Sequence, residues 1–139
     1  MILLDTNIFL ELLLDQTKAA ECENLLEEVY RGEGEAVVTH FTVHAVEASL
    51  PDKVSLETFL RNLGQSVGLY VYDTNLSEEM AAALLSEKMG LDFDDALQYY
   101  VAKKLGVDAI ASFDEHFDQL DLRRIEPHQF VSRPKQKDT

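Results

Sequence analysis

The chain opens with four apolar residues, Met1-Ile2-Leu3-Leu4, and runs directly into Asp5-Thr6-Asn7. A run this short, with no polar alternation, predicts a strand buried on both faces of a sheet. The pattern recurs in Ala36-Val37-Val38-Thr39, Leu69-Tyr70-Val71-Tyr72 and Ala109-Ile110-Ala111-Ser112, and Arg124-Ile125 makes a short fifth candidate. Helical segments lie between them. Thr6 or Asn7 is placed to cap a helix through Leu14, and residues 18–31 form a second, closed by Gly32-Glu33-Gly34. A third runs from Phe41 to Leu50 and stops at Pro51, and a fourth starts at Ser55. Ser77 opens a fifth that ends at Met89-Gly90, and Phe93 to Leu105 is a sixth, closed by Gly106. Strands alternating with helices predict an α/β fold, with a parallel central sheet of four to five strands covered by helices on both faces.

A length of 139 residues suits one domain able to bury its own core, and 46% apolar residues with six Gly and three Pro fit an ordinary globular protein. The domain is expected over 1–131, with a polar, flexible tail at 132–139. Cys22 is the single cysteine, so no internal disulfide can form. The N-terminus lacks a basic segment and is interrupted by Asp5, Asn7 and Glu11, unlike a signal peptide. No stretch reaches the ~18 apolar residues of a membrane span. A cytoplasmic location without membrane contact is expected. The net charge is −14, the opposite of a typical nucleic-acid binder, but residues 123–139 carry a local +3 and the rest −17. Such a body would bind phosphate only through metal ions and a local basic patch.

Four acids stand where elements begin or end: Asp5 after the first strand, Glu47 near the end of the third helix, Asp95 at the start of the sixth, and Asp114 after the fourth strand. Each alone has an ordinary explanation as a cap, a turn residue or a first-turn acid. Reactive groups of open α/β sheets gather beyond the C-terminal ends of the strands, where Asp5 and Asp114 should both emerge. Four carboxylates meeting there would repel by roughly 1 to 4 kcal/mol per close pair. Mg²⁺ or Mn²⁺ removes that conflict, because hard ions take carboxylate and water oxygens. A cation so held activates water and screens a phosphodiester under attack.

These residues resemble a PIN domain, the small metal-dependent nuclease fold of many prokaryotic toxin–antitoxin ribonucleases, including the VapC-like toxins. The resemblance runs from the first strand to about Asp118. It rests on Ile2-Leu3-Leu4-Asp5-Thr6-Asn7-Ile8-Phe9, Val43-x-x-x-Glu47, Asp95-Ala96-Leu97 and Ile110-Ala111-Ser112-Phe113-Asp114-x-x-Phe117. It implies an endoribonuclease whose Asp5, Glu47, Asp95 and Asp114 bind one or two Mg²⁺ or Mn²⁺ ions. Asn7 would orient a carboxylate or the attacking water, with Thr6 assisting, and Ser112 would hydrogen-bond within the site. Asp118 would add an outer acid. Asp92 is the alternative to Asp95, one helical turn earlier. Helices 18–31 and 53–65 carry apolar stripes, and their counterparts in PIN toxins dimerise and receive an antitoxin peptide. The implied partners are therefore RNA, an antitoxin protein and a second copy of the chain.

Other residues offer less. His40, His44 and Glu47 have helical spacing, but no Glu follows the first His and no cysteine helps, so they read as ordinary helix-start residues rather than a zinc site. His116 lies near Asp114 and can approach a phosphate. Tyr99, Tyr100, Lys103 and Lys104 read as a core flank and a solvated last turn, or alternatively as a surface for single-stranded RNA. No Walker loop, GxGxxG or GxSxG element is present. Two rivals stay open: a catalytically weak binding module for RNA or protein, and a related metal-dependent phosphodiesterase acting on DNA.

Overall fold

The computed structural model describes residues 1–130; the predicted tail at 132–139 lies outside the described residues. Five strands form one parallel sheet: β1 (Ile2–Leu4), β2 (Ala36–Thr39), β3 (Leu69–Tyr72), β4 (Ala109–Ala111) and β5 (Arg124–Ile125), in the order β3-β2-β1-β4-β5. Six helices connect them: α1 (Thr6–Leu13), α2 (Ala19–Arg31), α3 (His40–Ser49), α4 (Lys53–Gln65), α5 (Leu76–Met89) and α6 (Phe93–Leu105). Two 3-10 turns, Glu115–Gln119 and Pro127–Gln129, follow β4 and β5. Among the described residues, no helix is long and apolar enough to cross a membrane.

Side-chain alternation along the strands divides the core. Ile2, Leu4, Val38, Ala109 and Ala111 pack with Ile8, Phe9, Leu25, Val29, Val46 and Phe59, which belong to α1–α4. Leu3, Val37 and Ile110 point the other way, against Val101 and Ala102 of α6 and against Phe117. Both faces being covered explains why β1 and β4 read as unbroken apolar runs. Gly68, just before β3, is required by close approach: a Cβ there would sit 2.2 Å from the Gly34 carbonyl oxygen.

The strand order sets where a site can form. The chain builds β1, β2 and β3 outward to one side, then returns to place β4 and β5 on the other. The order therefore reverses between β1 and β4, and the crevice beyond their C-terminal ends is where open α/β sheets bind ligands. Register matches Leu3 with Ile110 and Leu4 with Ala111. One step further, Asp5 falls beside Ser112.

Local capping differs from expectation in three places. The N-cap of α1 is Asp5, whose carboxylate accepts the Thr6 amide, rather than Thr6 or Asn7. The N-cap of α4 is Asp52, so that helix starts at Lys53, two residues before Ser55. In α5, Asn75 forms a capping box with Glu78, and the helix begins before Ser77. In each case an acid or amide side chain upstream satisfies the free amides of the first turn.

Candidate active site

Asp5 leaves β1 on the α6 face of the sheet, the side to which Leu3 also points. It is only 5% exposed and fully hydrogen-bonded. Oδ1 accepts the Thr6 amide at 2.7 Å and the Gln98 side-chain amide at 2.9 Å; Oδ2 accepts the Ser112 hydroxyl at 2.6 Å. Burial pushes its pKa above the ordinary carboxylate value, against the pull of Ser112, Gln98 and the Thr6 amide; the Asp114 charge adds to the rise.

Ser112 is the junction of the floor. Fully buried, its Oγ donates to Asp5, accepts the Asp114 amide at 2.9 Å and accepts the Asn7 side-chain amide at 3.4 Å. Asn7 also accepts the Phe113 amide, at 3.5 Å. Its hydrogen bonds thus brace the turn after β4 and reach Asp5 and Asp114 through Ser112. The Ser112 carbonyl is held in turn by Arg124 Nη1 at 3.0 Å.

The roof is the first turn of α6. Asp92 caps the helix by accepting the Asp95 amide at 2.8 Å, and its exposed side chain takes no other place in the site. That cap fixes the helical phase so that both Asp94 and Asp95 face β1. Asp94 accepts the Thr6 hydroxyl at 3.4 Å through Oδ2, while its Oδ1 is buried with no hydrogen-bond partner. Burial raises the Asp94 pKa; the nearby Gln98 amide opposes that rise without completing a hydrogen bond to Oδ1. Asp95 is pushed up to about 7 by burial first, then by the charges of Asp92, Asp5, Asp114 and Asp94.

These acids fall into two overlapping groups whose ligand atoms lie within 4.8 Å of one another: Asp5, Asp94 and Asp95, and Asp95, Asp114 and His116. Asp95 belongs to both. Of the sequence-derived residues, the structure brings together Asp5, Asp95, Asp114, Asn7 and Ser112. Glu47 is half-buried on α3 and engages His44 Nδ1 at 2.7 Å; it is in neither group. Asp118 is held by Arg124 at 2.9 and 3.2 Å, which lowers its pKa, and it too stands outside. The stacked His40 and His44 rings pair with Asp73 and Glu47 respectively, so their Nδ1 atoms serve separate carboxylates. Tyr99 and Lys103 are both bonded to Asp121. Lys104, exposed as expected, also bonds Glu78, 2.8 Å away beside Tyr72. Lys104 and Tyr72 hold the Glu78 carboxyl down at about 2.

Two contributors, Gln98 and Arg124, were missed in the sequence, and Asp94 was passed over in favour of its neighbour Asp95. Asp94 and Gln98 are four apart, one turn on the same helix face as the buried Ala102, and a glutamine amid Leu97 and Val101 was a readable signal. Arg124 gives no such signal, because its partner Ser112 is remote in sequence.

A carboxylate-rich pocket with one buried, unpartnered oxygen and a mutually repelled acid suits a divalent cation. Oxygen donors with a single imidazole at the rim match Mg²⁺ or Mn²⁺ better than zinc. The fold and this acid crevice together define an α/β protein with a candidate metal centre at the sheet's switch point. The chain matches the PIN domain family over residues 2–122, and it belongs to that family. Its fold resembles the crystal structure of Mycobacterium tuberculosis VapC20, described as a sarcin-ricin loop cleaving toxin. The TM-score is 0.76 at 15% identity, over 91% of this chain and 100% of that one. It also resembles a chain of a toxin–antitoxin complex from Klebsiella pneumoniae, with a TM-score of 0.68 at 17% identity, over 94% and 100%. Comparison with curated proteins finds no match.

Proposed function

We propose that the protein is a ribonuclease that hydrolyses RNA phosphodiester bonds with Mg²⁺ or Mn²⁺, the toxin of a toxin–antitoxin pair acting in the cytoplasm. The observation that carries this reading is the meeting of Asp5, Asp94, Asp95 and Asp114 in the crevice between β1 and β4. Those four would hold the cation, and Glu47 would act from the outer rim. A divalent cation bound there lowers the pKa of its water and offsets charge on a phosphate under attack. The remaining work falls to the chain's own groups. Ser112 keeps Asp5 turned into the crevice, and Asn7 fixes the turn that carries Asp114. His116, exposed beside Asp114, is placed to donate a hydrogen bond to an incoming phosphate. Family membership and the two structural relatives, one a sarcin-ricin loop cleaving toxin and the other from a toxin–antitoxin complex, support the ribonuclease and antitoxin parts of the reading. For a homodimer, exposed apolar side chains include Leu76, Met80 and Leu84 in one row on α5, and Val54 and Leu60 on α4.

The test is cleavage of labelled RNAs by the purified protein in EDTA, Mg²⁺ or Mn²⁺, beside Asp5→Asn. Metal-dependent cutting that vanishes in a folded mutant is the expected result; cutting by Asp5→Asn at the parent rate would refute the site. A second reading, a PIN-fold binding module, is favoured by the −17 body. It predicts RNA or protein binding with no cutting in Mn²⁺.

A further inference from the structure

Gln98 lies on the apolar side of α6, is fully buried, and sits between Leu97 and Val101, both also fully buried. Its side-chain amide donates to Asp5 Oδ1 at 2.9 Å. Its own Oε1 is buried without a hydrogen-bond partner. One turn earlier on the same helix, Asp94 presents a buried oxygen that also lacks a partner. A buried acceptor left unpaired is costly, while the amide bond to the buried Asp5 carboxylate is stabilising. Because that bond is offset by the unpaired Oε1, fold stability alone does not account for a glutamine here. Position does: the amide stands between a carboxylate from β1 and another from α6, the two elements that must be held in register for the acids to share an ion.

We infer that Gln98 is a positioning residue of the cation site, fixing the rotamer of Asp5 and its placement against Asp94 so that the two carboxylates present their oxygens to one divalent ion. The inference rests on the cation-site reading above and adds a residue to it. Gln98 touches neither ion nor RNA. It acts through Asp5, as outer groups commonly orient metal ligands. Thr6 and Ser112 already bond Asp5, but both approach from β1 and β4 side segments; Gln98 alone ties it to α6.

The test replaces Gln98 by methionine, which keeps length and volume and removes the amide. Mn²⁺ binding to the metal-free full chain is measured by calorimetry and by the loss of the free Mn²⁺ paramagnetic resonance signal; thermal unfolding in EDTA is measured in parallel. Gln98→Met is expected to stay folded in EDTA with a modest fall in unfolding temperature, yet to bind Mn²⁺ about tenfold more weakly, at the lower end of what loss of an outer partner costs. A purely structural glutamine gives a lower unfolding temperature with Mn²⁺ affinity kept. An affinity loss under threefold in the folded variant overturns the inference. Should Gln98→Met not fold, Gln98→Asn decides, because it keeps an amide but withdraws it by one methylene; the same threshold applies. Failures are separable. If the parent binds Mn²⁺ without cutting any RNA and Gln98→Met weakens that binding, the positioning role stands and the nuclease reading falls. If the parent cuts RNA and Gln98→Met binds Mn²⁺ like the parent, the nuclease reading stands and the positioning role falls. If the parent binds no Mn²⁺, both fall.

Discussion

Asp95 gives the sharpest handle on the acid cluster, because it is the carboxylate that belongs to both groups and its pKa is pushed up to about 7 from 3.8. The folded chain then holds this proton to higher pH than the unfolded chain does. Between the two values the unfolded state binds fewer protons, so stability of the metal-free protein falls as pH rises, and the loss is complete above about 7. The whole interval corresponds to roughly 4 kcal/mol for a fully shielded group. Asp95 is only half-buried, and solvent screening reduces this to about 2 kcal/mol. Roughly half of that accumulates between pH 5.5 and 8.5, or about 1 kcal/mol, equal to a 3–5 °C change in Tm for a chain of this size.

The assay is urea and thermal unfolding of the parent and of Asp95→Asn, in EDTA, at pH 5.5 and 8.5. The parent should lose about 1 kcal/mol more than the mutant over this range. Asp118 and Asp121, whose pKa values are lowered by Arg124 and by Tyr99 with Lys103, change charge below the range. In saturating Mn²⁺ the parent's excess pH dependence should disappear. Parallel losses in parent and mutant would show that Asp95 is not crowded by its acidic neighbours, and the argument for a cation at this point would fail.

Four further outcomes are expected. Ser112→Ala removes the 2.6 Å donor to Asp5 and the acceptor of the Asp114 amide, so urea unfolding should show a loss of about 1–3 kcal/mol. Its Mn²⁺ affinity should fall as well. Gly68→Ala sets a Cβ against two backbone carbonyl oxygens, at 2.2 and 2.7 Å, and should cost several kcal/mol, on the order of the largest single-site effects. Cys22 is fully buried and its thiol is pushed up to about 12, chiefly by burial, so it should resist a thiol reagent at pH 8 until denaturant is added. Arg124→Met frees the Ser112 carbonyl and unpairs Asp118; a folded variant with weakened metal-dependent cleavage is expected, and unchanged cleavage would remove Arg124 from the support of the site.

The helices and strands were legible where a local signal ended them. α6 was readable to the residue because Gly106, in the left-handed conformation, closes it and Asp92 opens it. β1 and β4 were readable because both faces are buried and the apolar run is unbroken. The cap of α1 was misplaced by one or two residues for an instructive reason. Asp5 was weighed as a cap or a site acid, as though these were rivals, yet its Oδ1 caps the helix while its Oδ2 faces Ser112. The same coincidence recurs at Asp114, which caps the 3-10 turn and also joins the second acid group. Capping sets the angle at which a carboxylate leaves the backbone, so a cap at a strand end is a means of aiming an acid.

Choosing among Asp92, Asp94 and Asp95 was a question of helical phase. A helix capped by Asp92 presents 94 and 95 toward the sheet and sends 92 outward. Shifting the cap by one residue would have given a different pair, so sequence spacing alone could not select them. Glu47 sits late on α3, with His44 one turn away as a ready partner. Asp5 and Asp114 each cap a turn and lean on Ser112, whereas Glu47 is paired with the exposed His44. On that pattern, breaking the His44 contact with His44→Ala should leave Mn²⁺ affinity unchanged or raise it by freeing Glu47, whereas a fall in affinity would show that the His44–Glu47 pair itself belongs to the site.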